Sequence, residues 1–165
     1  MRIFGYAAAA ALGLTVGVNM GQQLEPKQGA PADKLTALTL RNMAQGLGYE
    51  VKVLNETEGK EKYEIKTKTA NLDVPIGLEI SPSTNYIWLT VFLGENNPSK
   101  KHEDLLKENA NLQPTFFYIT SKNNLMAAEA IDNRDVSSAI LKRCLEKLSA
   151  DIDKTSKVWG DSGAK

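Results

Sequence analysis

The sequence predicts an α+β domain: a mainly antiparallel sheet with the terminal helices packed on one face. Three observations carry this. Tyr86 to Leu93 reads Tyr-Ile-Trp-Leu-Thr-Val-Phe-Leu, free of charge, Gly and Pro, and lies between two turn-forming stretches. That is the pattern of a central strand that needs cover on both faces. Before it, apolar and charged residues alternate with period two, as in half-exposed strands. At the end of the chain an apolar stripe recurs with helical spacing over Asp135 to Trp159, as in a helix packed along one side. The predicted order is helix, four strands, short helix, two strands, long helix.

A chain of 165 residues has the length of one domain and can bury a core without metal or disulfide staples. Lys and Arg total 20, balanced by 20 Asp and Glu, with no long run of one sign. This argues against nucleic acid as a partner. Within residues 1–21 only Arg2 carries side-chain charge, and an Ala-, Gly-, Leu- and Val-rich run follows it. A positive start before an apolar stretch reads as a signal peptide, with an uncleaved N-terminal anchor as the alternative. A periplasmic or secreted location follows, with membrane contact only if the leader is retained. No clean Ala-x-Ala site precedes Gln22, and no cysteine near the leader could take a lipid. Cys144 is the only cysteine, so no intrachain disulfide forms.

Residues 22–33, with Pro26, Gly29 and Pro31, read as a flexible linker before a domain over 34–160 and a tail over 161–165. Asp33 is the expected N-cap of a helix reaching about Leu47, whose stripe is Leu40, Met43, Ala44 and Leu47. Leu35 and Leu38 fall off that stripe and are read as a widening of the buried face. Tyr49 to Val53 and Tyr63 to Thr69 are alternating strands joined through Asn55 to Lys60. Val74 to Ile80 follows, with Pro75 placed at a strand start or an edge. Ser81 to Asn85 then turns into the central strand. A short helix fits Lys100 to Ala110, stopped by Pro114. Thr115 to Thr120 and Asn124 to Ile131 form a second hairpin around a polar, Asn-rich turn. The long helix enters through Asp132 to Asp135, which offer several caps. Ile140, Leu141, Cys144, Leu145, Leu148, Ile152 and Trp159 form its apolar side.

Catalytic patterns are absent from the sequence. His102 is the only histidine, and there is no His-Glu-x-x-His, Cys-x-x-Cys, phosphate loop or Gly-x-Gly-x-x-Gly. Neither a catalytic residue nor a metal site nor a cofactor is expected. Cys144 is read as a buried, unreactive thiol. Glu103 with Asp104, and Asp151 with Asp153, are read as solvated faces rather than paired acids. Asn55-Glu56-Thr57 matches a glycosylation acceptor, a short and common pattern.

The aromatic residues weigh differently. Trp88, Phe92, Tyr86 and Tyr118, with Phe116, are candidates for a protein-binding surface, because helices on one side of a sheet leave the other side open. The competing reading packs these rings under the short helix or the linker. RNA stacking lacks a basic rim.

Leu105-Leu106-Lys107-Glu108-Asn109, Phe116-Phe117-Tyr118-Ile119 and Leu125-Met126-Ala127-Ala128-Glu129, followed by the long helix, resemble the type III secretion chaperone-like fold, and within it the YbjN-type branch. The resemblance spans roughly Asp33 to Trp159. It implies a small α+β domain, often a homodimer, that binds polypeptide and carries no catalytic residue. The leader and the neutral charge depart from cytosolic, acidic secretion chaperones. The function expected is an exported, non-enzymatic interaction domain that captures polypeptide or a copy of itself. The alternatives are a small envelope hydrolase or metal-dependent enzyme using His102, and a small-ligand carrier.

Overall fold

The computed structural model describes residues 33–160. The leader, residues 22–32 of the linker and the 161–165 tail lie outside the described residues. The elements are α1 (Ala37–Gly46), β1 (Lys52–Asn55), β2 (Lys62–Lys68), β3 (Asp73–Ile80), β4 (Tyr86–Glu95), α2 (His102–Leu112), β5 (Phe116–Ile119), β6 (Asn124–Asp132), α3 (Ser138–Lys154) and α4 (Ser156–Trp159). All six strands join one antiparallel sheet in the order β1-β2-β3-β4-β6-β5. The α+β class and the element order follow the sequence pattern, with β4 in the interior as its two apolar faces require.

On β4, Ile87, Leu89, Val91 and Leu93 are all buried and join the core. In register beside them stand Leu78 and Ile80 of β3 and Ile131 and Ala127 of β6. Above this face α1 contributes Leu40 and Ala44, and α3 contributes Leu141, Leu145, Leu148 and Ile152. Each fully buried Leu or Ile stabilises the fold by about 1.5–3 kcal/mol relative to exposure. α1 and α3 therefore form the second layer. α2 packs against β5 and α4 instead.

Local polar chemistry shifts several boundaries from those the sequence predicts. α1 is capped by Thr36, not Asp33, because Thr36 and Thr39 satisfy each other's backbone N–H groups in a capping box. Leu38 is exposed, so the widened apolar face is wrong for that residue, while Leu35 does pack on the core. β1 begins only at Lys52, and Tyr49 and Val51 pack on the core ahead of it. Pro75 lies on an interior strand, yet the β3–β4 register runs only from Gly77 to Ile80, so Pro75 faces a single partner strand.

The last helix starts at Ser138 and is capped by Ser137, whose hydroxyl accepts the Ile140 N–H, and not by a residue within Asp132 to Asp135. It breaks at Thr155, where the hydroxyl donates to the Asp151 carbonyl at 2.6 Å and α4 begins. Asp151 is buried, contrary to the solvated reading, and pairs with Lys147 at 2.6 Å. Cys144 is half-buried rather than fully buried.

Asn133 does not cap the helix. It is fully buried and ties three parts of the chain together. Its amide accepts from Leu35 N–H and donates to the Leu35 and Thr84 carbonyls, each bond at 3.0 Å. This closes the entry of the chain onto the β3–β4 turn and the β6–α3 junction. Asn133→Ala removes three hydrogen bonds to part-buried backbone groups and should cost roughly 2–4 kcal/mol in urea unfolding, with no change of slope.

Burial first, and then the neighbouring Glu129, push the Cys144 thiol up from 9.0 to about 12. Thiolate is the reactive form, so labelling at pH 8 should run at least a hundredfold slower in the native protein than in the denatured chain.

Candidate binding face

The face of the sheet opposite α1 and α3 is built by the other half of the same alternation. Register assigns its rows: Glu79, Trp88 and Ala130 in one, Gly77, Thr90, Ala128 and Phe116 in the next, and Phe92, Met126 and Tyr118 in a third. Tyr86 stands opposite Asp132 at one end. β6 places small residues between the aromatic residues of β4 and β5. The Trp88 ring therefore reaches across to Phe116, edge to face at 6.2 Å between centroids and 77° between planes. Phe116 continues onto Tyr118 at 5.8 Å.

These rings provide part of the cover that no helix supplies. Thr90 and Ala128 lie on this face and are nonetheless buried. Gly77 closes the row on the other side, where a Cβ would sit 2.7 Å from Thr90 Oγ1. Above this layer, Phe92 is 55% exposed and Tyr86 47% exposed, while Trp88, Phe116, Tyr118 and Met126 are half-buried. The result is an apolar platform about 20 Å along β4 from Tyr86 to Phe92 and about 10 Å from β4 to β5, from strand rise and spacing.

The platform has a charged margin. Lys62 pairs with Glu79 at 3.2 Å beside Trp88, and Lys52 with Glu64 at 3.6 Å further out. These exposed pairs add little stability and keep the β1–β3 half of the face polar. At the Tyr86 end, Arg134 grips Asp132 with both donors, and this contact holds the Asp132 carboxyl below its ordinary range. Desolvation, then Glu79, raise the Tyr118 phenol, which keeps it a neutral hydrogen-bond donor at the edge of the patch.

Trp88, Phe92, Tyr86 and Tyr118 thus share one face, with Tyr86 set apart at its end. α2 packs on the Phe117 side of β5, so it leaves Trp88, Phe92 and Tyr86 uncovered, while Tyr118 also borders the cleft beneath α2. Met126, Ala128 and Ala130 complete the platform and were not singled out by sequence. Their signal is the cross-strand register, which composition does not reveal.

His102 is committed elsewhere. Its Nε2 lies 2.5 Å from Asn96 Oδ1, and Asn96 in turn bonds Asn123 of the β5–β6 turn at 2.9 Å. The ring anchors the start of α2 and is hydrogen-bonded to an amide, not to a carboxylate. Among the described residues no group of three His, Cys, Asp or Glu side chains is placed to hold a metal. Asn109 accepts from Phe117 N–H at 2.7 Å and donates to its carbonyl at 3.2 Å, so α2 blocks the outer edge of β5 against an added strand.

No family model matches this chain, and no curated protein matches it. Solved structures do. A chain of the HopA1–SchA chaperone–effector complex superposes with a TM-score of 0.50 at 15% identity, over 68% of this chain and 86% of that one. The Yersinia pestis type III secretion chaperone SycH, solved with a fragment of YscM2, gives 0.47 at 15% identity, over 72% of this chain and 95% of that one. At such identity the first likeness is one of fold, and the chain has the secretion-chaperone-like α+β fold.

Proposed function

We infer that this protein is a non-catalytic binding domain that captures an apolar polypeptide segment on the platform around Trp88 and Phe92. The observation that carries the reading is the aromatic face itself: contiguous Trp, Phe, Tyr and Met side chains on an open side of the sheet, ringed by charge. Such a patch on a soluble domain marks a contact surface, and Trp and Tyr are the residues that dominate interface energetics. Its length of about 20 Å matches roughly 13 residues of helix at 1.5 Å each. A copy of the same face would have to recruit the charged β1–β3 half to approach the usual burial of about 800 Å² per partner. Self-association is therefore the second reading and a polypeptide the first. The chaperone–effector complex that shares the fold supports a polypeptide partner, and assignment to the YbjN-type branch belongs to the same proposal.

The enzyme and carrier alternatives find less support. His102 serves an amide clasp, and the clefts of about 640, 570 and 500 Å³ are lined by other residues than Trp88, Phe92 and Phe116. Phe92→Ala separates binding from folding. It should leave stability within about 0.5 kcal/mol while weakening a helical peptide, selected from a display library against residues 22–165, at least about tenfold by calorimetry. Equal affinity for the variant would remove the platform from the function. Sedimentation of the same pair of proteins reads out self-association.

Export belongs to this proposal and rests on the apolar run behind Arg2. Residues 1–21 fused to alkaline phosphatase lacking its own signal should yield active enzyme outside the cytoplasm. A size decrease would mark cleavage and an unchanged, membrane-bound product an anchor. An inactive fusion would refute export.

A further inference from the structure

Glu129 lies in the middle of β6 on the helix-covered face, beside Leu89 of β4, and is only 2% exposed. One step beyond the Phe116–Ala128 pair, its neighbour on the β5 side is Thr115, which is also fully buried. Glu129 Oε2 and Thr115 Oγ1 have no hydrogen-bond partner. Glu129 Oε2 therefore receives no hydrogen bond in this arrangement, and an ionised form would be costly there.

The charged groups that act on it all come from α3. The Cys144 thiol lies beside it, the charges of Lys147 and Arg143 favour its ionised form, and that of Asp151 opposes it. Lys147 acts more strongly than Arg143, but its ammonium is already engaged. It donates to Asp151 Oδ2 at 2.6 Å and to the carbonyl of Leu112, the last residue of α2, at 2.8 Å. Lys147 is thus a bolt from α3 to α2, and α2 in turn holds the edge of β5 through Asn109.

We propose that Glu129 is a proton-controlled latch: its ionisation draws Lys147 away from Asp151 and Leu112, so that α2 loosens from β5 as pH rises. The proton leaves Glu129 for solvent, and the ammonium stays charged throughout. The Leu112 carbonyl then keeps only the Thr115 N–H at 3.2 Å, and two consequences are expected. The Phe117 N–H and carbonyl lose the Asn109 amide, and the apolar cavity of about 150 Å³ between α2 and β5, lined by Leu105, Leu106, Phe117 and Ile119, opens. Burial places the Glu129 carboxyl above its ordinary range. Its neutral form thus contributes stability that is complete below the ordinary carboxyl pKa and is lost as pH rises through the raised one. The latch does not depend on what the aromatic platform binds.

Amide exchange of the full chain, corrected for intrinsic rates, tests this between pH 4.5 and 9 alongside the carboxyl carbon shift of Glu129. Protection of α2 and of Phe117 should fall at least tenfold at the midpoint of the Glu129 titration, while α1 stays protected. Glu129→Gln should abolish the step and keep α2 protected throughout, and Lys147→Met should leave α2 weakly protected at every pH. A step that survives in Glu129→Gln, an equal loss in α1, or flat protection in the wild type would overturn the latch. Should Glu129→Gln fail to fold, the two wild-type midpoints decide, and midpoints that do not coincide overturn it.

Discussion

One strand must be buried on both sides, and only one side receives helices. β4 carries Ile87, Leu89, Val91 and Leu93 toward the core and Tyr86, Trp88, Thr90 and Phe92 away from it. The first set is met by α1 and α3, whose stripes converge on it. The second set has to improvise. Trp88 and Phe116 bridge over the small residues of β6 and bury Thr90 and Ala128 beneath aromatic rings. The outer surfaces of those rings remain uncovered. The aromatic platform is what is left when a two-sided strand is placed in a two-layer fold.

Corners of the fold are held by a second class of interaction, in which a side-chain amide or ammonium completes the hydrogen bonding of backbone left over where an element ends. Asn133 does this for Leu35 and Thr84, Asn109 for Phe117, and Lys147 for Leu112. The His102–Asn96–Asn123 chain clamps the start of α2 to a turn by side-chain contacts of the same kind. Asn133 and Lys147 join segments 35 to 98 residues apart, whereas Asn109 ties α2 to the strand that follows it eight residues on. Lys147 differs because it also faces buried acids, which makes its corner sensitive to charge where the others are fixed.

Likeness to a secretion chaperone complex is thus one of architecture, reached at 15% identity by the same arrangement of sheet and helices. Side chains, not architecture, decide what such a sheet can hold. Here the uncovered half-face is aromatic over β4, β6 and β5 and charged over β1 to β3, which confines apolar contact to one half of the sheet.

Periodicity along the chain determined the elements and the class. Period two marked the strands and period 3.6 the helices, because a residue's direction relative to its neighbours is a local property. The same alternation separated Trp88 and Phe92 from the core residues of β4, and it placed them with Tyr86 as candidates for an open face. Tertiary structure decided what locality could not. That Ala128 lies beneath the rings depends on strand register, and that Asn133 is a buried knot rather than a helix cap depends on partners 49 and 98 positions away; Asp151 has its Lys147 partner one turn away, but that lysine is held by Leu112, 35 positions from it. Glu129 is the sharpest case. An acidic residue between two alanines reads as exposed, and only the pairing of β6 between β4 and β5, with α3 laid across it, turns that carboxyl into the core.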